Sequence, residues 1–193
     1  MTAKHVASLW EDSLLEFRDR VAADSPTPGG GAVAAVAATL AAALLRMVCA
    51  IVKRRKPDAE INAVVAQITL CEEKVAHCAD EDVRVFDRYM AARKVQGAHA
   101  KSNIQQCLLA CAEVPLAAAE QVAKLQAYAA EIALQAPEFL ASDIVTAQSL
   151  LYSSRRGLVA NVTINLADLD ESEEKRRLLQ RLDPLMRDAN VVS

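Results

Sequence analysis

The sequence predicts an all-α fold, a bundle of about six helices, several of them long, in a single domain covering residues 1–193. Apolar residues recur at steps of three and four along most of the chain, and there is no convincing strand pair, internal repeat or long linker. Hydrophobic residues make up 53% of 193 positions, enough for one sizeable core. Aromatics are only 4%, which suits helices that pack closely through small side chains.

The elements follow in order. Ser8 and Glu11 read as a capping box, after which Trp10, Leu14, Phe17 and Val21 mark a first helix. Residues 32–55 hold neither proline nor glycine and are rich in alanine, which predicts a central second helix. Pro57 suits a first helical turn, and a third helix is expected over 58–94. Its inward stripe reads Ile61, Val64, Ile68, Cys71, Val75, Cys78, Asp82, Val85, Tyr89. A fourth helix is expected over 98–135 with a kink at Pro115, which removes a backbone donor. The fifth runs from Ser142 to about Leu166, although Val162-Thr163-Ile164 has strand propensity. The last spans 170–190, with Asp170 three residues before Glu173 as its opening.

Composition excludes some functions. With 22 basic and 25 acidic residues the formal charge is −3, so no general positive field gathers nucleic acid. The five cysteines are odd in number and lie at one-face helix spacings, Cys71 with Cys78 and Cys107 with Cys111. They read as reduced thiols in a cytoplasmic protein. A basic region followed by an apolar core is missing at the N-terminus, so no signal peptide is expected. Residues 32–52 resemble a membrane segment in length only. They are rich in alanine, they contain Arg46, and a buried helix is the better reading. His5, His77 and His99 lack ligand spacing, so no metal site is expected.

The stretch Ser25-Pro26-Thr27-Pro28-Gly29-Gly30-Gly31 holds three of the five glycines. The prolines push Ser25 and Thr27 to extended backbone, and the glycines offer bare N–H groups at the start of a helix, where the dipole favours an anion. Two readings stand, a carboxylate or phosphate cradle and a tight turn between packed helices. Asp82 is a carboxylate on an apolar seam, where desolvation raises its pKa toward the range useful for proton transfer. The alternative is a buried pair with Arg46, Arg55 or another base, or a stripe that turns outward there. Asp80 and Glu81 beside it read as solvated. Asp143 follows a serine suited to an N-cap, so it serves either the helix dipole or the chemistry. The run Lys53-Arg54-Arg55-Lys56 either offsets the negative end of the second helix or holds an acidic ligand.

The blocks DSPTPGGGAVAAVAATLAAALLRMVC, DEDVRVF, EVPLAAAE and SDIVTAQSLLYSSRRGLVANVTINL resemble the formiminotransferase-cyclodeaminase C-terminal family over nearly the whole chain. That family includes formimidoyltetrahydrofolate cyclodeaminases and stand-alone methenyltetrahydrofolate cyclohydrolases. The resemblance implies an all-helical subunit, a homodimer or higher homo-oligomer, and a folate site lined by the glycine loop. By position it implies catalytic roles for Asp82 and Asp143. It implies substrate-binding roles for Pro26, Thr27, Pro28, Gly29, Gly30, Gly31, Arg55 and Lys56.

The chain departs from the family at Arg54 and Asp58, where a glycine and an aromatic are usual. It also departs at Pro137 and Phe139, where asparagines are usual, and in the short connection ARKVQGAHAKSN. The implied activity is hydrolysis of 5,10-methenyltetrahydrofolate to 10-formyltetrahydrofolate. The alternatives are cyclodeamination with loss of ammonia, and a non-catalytic member that binds a folate or a partner protein. Neither chemistry calls for a metal or redox cofactor; the tetrahydrofolate derivative is the substrate.

Overall fold

A computed structural model describes residues 8–55 and 59–189. Among them are six α-helices, two 3₁₀ turns and no strand: α1 Leu14–Val21, α2 Gly30–Arg55, α3 Ala59–Ala92, α4 Ala100–Gln135, α5 Ala141–Ala167 and α6 Glu173–Ala189. The all-α expectation holds.

Helices α2 to α5 form the frame. Each packs mainly on two others, α2 on α3 and α5, and α4 on α3 and α5, with a smaller contact between α2 and α4, while α6 lies across α4 and α5. Short connections between long helices make neighbours antiparallel. One end of the bundle therefore collects the start of α2, the end of α3, the start of α4 and the end of α5. Leu45, Ile68, Leu116, Leu125, Leu151 and Leu158 fill the centre. Burying each contributes about 1.5–3 kcal/mol. The alanines of α2 divide by face: Ala32, Ala35, Ala38, Ala41 and Ala42 are fully enclosed, whereas Ala43 and Ala50 lie outside with Leu40 and Met47. By length and composition α2 is long and apolar enough to cross a membrane, and here its inner face is part of the core.

Several boundaries differ from expectation, each for a local reason. The first helix is split. Ser8 caps only a 3₁₀ turn, Leu9–Glu11, whereas the capping box is Ser13 with Glu16, whose carboxylate accepts from the Ser13 N–H at 2.8 Å. Helix α2 begins at Gly30, two residues early, because the glycines supply its first turn. Pro57 lies outside the described residues. Helix α4 takes in Pro115 as expected, one element from Ala100 to Gln135. Ser142 is not a cap: a 3₁₀ turn, Glu138–Leu140, leads directly into α5, and Leu140 holds the N-cap position. Ser172 rather than Asp170 caps α6, its hydroxyl accepting from the Lys175 N–H at 3.1 Å. The strand propensity of residues 162–164 is overridden, since Val162 is fully buried inside α5.

Candidate functional site

The glycine loop and Asp82 meet at the bundle end where α2 starts. Thr27-Pro28 is a cis peptide, Pro28 is buried, and the Ser25 hydroxyl donates to the Thr27 carbonyl at 3.0 Å. The first helical bond of α2 runs from the Val33 N–H to the Gly29 carbonyl at 3.0 Å, so the N–H groups of residues 30–32 have no acceptor within the helix. Asp82, reaching across from α3, accepts from the Ala32 N–H.

The three glycines have three different environments. A Cβ on Gly31 would lie 2.7 Å from both Cγ and Oδ2 of Asp82 and closer still to Oδ1. Gly31 is thus the space that the carboxylate occupies. A Cβ on Gly29 would meet the Pro26 carbonyl oxygen at 3.0 Å, which explains this first glycine by the tightness of the turn. Gly30 faces open space.

Beside Asp82 is a cavity of about 190 Å³, lined by Pro26, Thr27, Gly29 and Gly30 from the loop, Asp82, Val85 and Phe86 from α3, Cys111 from α4, and Asn161, Ile164 and Asn165 from α5. Burial pushes the Asp82 carboxyl up from 3.8 to about 6, the Ala32 N–H acting against that rise. The same burial, with Asp82 nearby, pushes the Cys111 thiol up to about 12 and the Cys78 thiol up to about 11, so neither is a ready nucleophile. The buried-pair reading of Asp82 is not met: Arg46 pairs with Glu72 at 2.7 Å.

Other acids of the region have separate duties. Asp80 is not simply solvated, because it accepts from the Ser8 hydroxyl and the Leu9 N–H, each at 2.7 Å, and so ties down the 3₁₀ turn. Glu81 pairs with Arg84 at 2.6 Å on the same helix.

Arg55 and Asp143 are not in the cavity. Helix α2 is continuous over 26 residues, so its ends are about 37 Å apart at 1.5 Å per residue. Arg55 sits at the far end, its guanidinium carbon 4.4 Å from the centre of the Phe139 ring. Asp143 is in the first turn of α5 beside that same end. Within a protomer the glycine loop and Asp82 thus lie at one end of α2 and Arg55 at the other. Lys56 lies outside the described residues. Phe139, one of the departures noted above, is the platform on which Arg55 rests.

Sequence reasoning missed Asn161 and Asn165, which line the cavity one helical turn apart. The signal was present: two amides at i and i+4 between the buried Leu158, Val162 and Leu166. The Asn165 amide Nδ2 donates to the Cys111 carbonyl at 2.8 Å and to Asn161 Oδ1 at 3.2 Å.

A family model described as formiminotransferase-cyclodeaminase matches residues 13–184. The chain is 31% identical to the formimidoyltransferase-cyclodeaminase of Sus scrofa over 95% of its own length, although it spans only 36% of that relative. It is 27% identical to the methenyltetrahydrofolate cyclohydrolase of Methylorubrum extorquens, covering 94% of this chain and 92% of the relative. Among solved structures, a formiminotetrahydrofolate cyclodeaminase from Thermotoga maritima superposes with a TM-score of 0.86 at 27% identity, covering 94% of this chain and 92% of that one. Every helix that lines the cavity lies within the matched residues, and the chain belongs to the formiminotransferase-cyclodeaminase family.

Proposed function

We propose that this chain is a methenyltetrahydrofolate cyclohydrolase, opening 5,10-methenyltetrahydrofolate to 10-formyltetrahydrofolate. The observation that carries this reading is Asp82, a partly buried carboxylate at the cavity wall whose pKa of about 6 suits proton transfer near neutrality. Water adds to the electrophilic amidinium carbon while Asp82 takes its proton. The bond from that carbon to N5 then breaks: N5 receives the first proton from Asp82, the remaining hydroxyl proton is released to water as its oxygen becomes the carbonyl, and the formyl group remains on N10. The ionised carboxylate also faces a cationic substrate and stabilises it. The full-length match to the Methylorubrum extorquens cyclohydrolase supports this choice of reaction.

Cyclodeamination is the second reading, favoured by the likeness to the Thermotoga maritima cyclodeaminase. It uses the same ring but expels ammonia, so protonated Asp82 would serve as the acid at the leaving nitrogen. One experiment separates the two. Purified protein is given methenyltetrahydrofolate, whose absorbance is lost on ring opening, beside a buffer blank, and in parallel formimidoyltetrahydrofolate with ammonia release measured. Faster ring opening without ammonia release supports the first reading. Ammonia release supports the second, and inactivity on both refutes each.

Two further features belong to this proposal. Leu40, Ala43, Met47 and Ala50 form an exposed apolar face on α2, and a second copy of the chain covers it. Five free cysteines support a reducing, cytoplasmic setting.

A further inference from the structure

We infer that Pro115 is a positioning residue: it fixes the polarity of the Asn161–Asn165 amide pair, which reads the lactam edge of the ligand's heterocycle. The inference rests on the folate reading above.

The chain of cause begins in the backbone. Within an α-helix the Cys111 carbonyl would accept from the N–H of residue 115, and proline has none. Pro115 is enclosed within the protein and the helix continues past it, so that carbonyl needs a donor from elsewhere. Asn165 Nδ2 supplies it at 2.8 Å from α5. A carbonyl accepts and cannot donate, so the Asn165 amide is held with its nitrogen toward α4. The second Nδ2 hydrogen goes to Asn161 Oδ1 at 3.2 Å, which fixes the second amide in turn.

What remains for the cavity is one donor, Asn161 Nδ2, and one acceptor, Asn165 Oδ1. Both residues line it, and neither atom is sealed off as a buried group without a partner. A donor beside an acceptor complements a cis-amide edge: a ring carbonyl accepts from Asn161 and the adjacent ring N–H donates to Asn165. The 4-oxo, N3–H edge of a reduced pterin has that order, and its 4-amino analogue reverses it. The volume of about 190 Å³ matches one fused ring system, leaving the rest of a folate outside.

The test compares tetrahydrofolate with its 4-amino analogue by calorimetry, alongside the ring-opening assay. Wild-type protein is expected to bind the 4-oxo ring at least about tenfold more tightly, the worth of one well-placed hydrogen bond. Pro115→Ala restores an N–H that takes the Cys111 carbonyl and releases Asn165. The expected result is a preference falling toward one, with helicity kept and the pH limb set by Asp82 unmoved. Asn161→Asp, which turns the donor into an acceptor, is expected to shift preference toward the 4-amino ring, and it decides the matter if the proline variant does not fold. A wild type that opens the ring yet does not discriminate overturns this inference alone. So does Pro115→Ala that folds and keeps the full preference, or Asn161→Asp that keeps it. A wild type that binds neither compound and leaves ring opening at the blank rate refutes the cyclohydrolase reading, and this inference with it.

Discussion

Replacing Asp82 with asparagine should make the protein more stable and less active at the same time. The carboxyl titrates near 6 in the fold against an ordinary 3.8, because burial disfavours its charge. A rise of about two units at about 1.4 kcal/mol each comes to about 3 kcal/mol. The sign follows from which state holds the proton more tightly. The folded state does, so the full contribution of Asp82 to stability is present below pH 4. It is lost as pH rises from there through 6, and above that the ionised group is a constant penalty.

Asparagine keeps an oxygen for the Ala32 N–H, carries no charge, and escapes the penalty. Asp82→Asn should therefore exceed wild type in urea-unfolding free energy by up to about 3 kcal/mol at pH 8, with the difference vanishing near pH 4. Turnover should fall by about 10²–10⁴-fold, and the wild-type rise of kcat/KM through pH 6 should disappear. A variant less stable than wild type at pH 8, or one whose turnover is within a few fold of wild type, would refute the account of Asp82 as a costly, functional carboxylate.

Other substitutions probe the surroundings. Gly31→Ala should displace the Asp82 carboxylate, since its Cβ would lie 2.7 Å from Cγ. The overpacking costs about 1–3 kcal/mol, partly offset by about 1 kcal/mol of helix propensity. Activity should fall far more than the melting temperature does, and retention of both would show that the carboxylate has room to move. Arg55→Ala should leave turnover of a monoglutamyl substrate unchanged, and a double-mutant cycle with Phe139→Ala should give a coupling of about 0.5–1 kcal/mol, read by chemical denaturation. Sedimentation should show a dimer at micromolar concentration for wild type and a monomer for Leu40→Glu, if a second copy covers the outer face of α2.

The helices were legible because a step of three and four is imposed by geometry and repeated many times. Of the stripe on α3, Ile68, Cys71, Val75 and Val85 are buried, and Cys78 and Asp82 are half-buried between them. Caps were read less well. A serine followed three residues later by an acid occurs at Ser8 and Ser13 alike, and only the packed structure shows that Asp80 claims the first. The glycine loop was legible as a loop, but the meaning of Gly31 depends on a side chain 51 positions away and is invisible to local spacing. The amide pair was hidden for a related reason. Its orientation is set by a proline on another helix, which sequence reading treats as a kink in α4 and not as the source of a carbonyl without a partner in its own helix.

The unequal anchoring of the N-terminal stretch gives the molecule a weak point remote from its core. Asp80 and Asp82 stand on one turn of α3 and clasp the chain at Leu9 and Ala32. Between those clasps α1 has no buried residue, with half-buried Phe17 as its inward contact, and Leu14 is 80% exposed. Such a segment opens locally at little cost while the four long helices stay closed. A protease that cuts after arginine should therefore nick at Arg18 or Arg20 first, releasing nothing and leaving the helical core folded, and a ligand seated against the glycine loop should slow that cut.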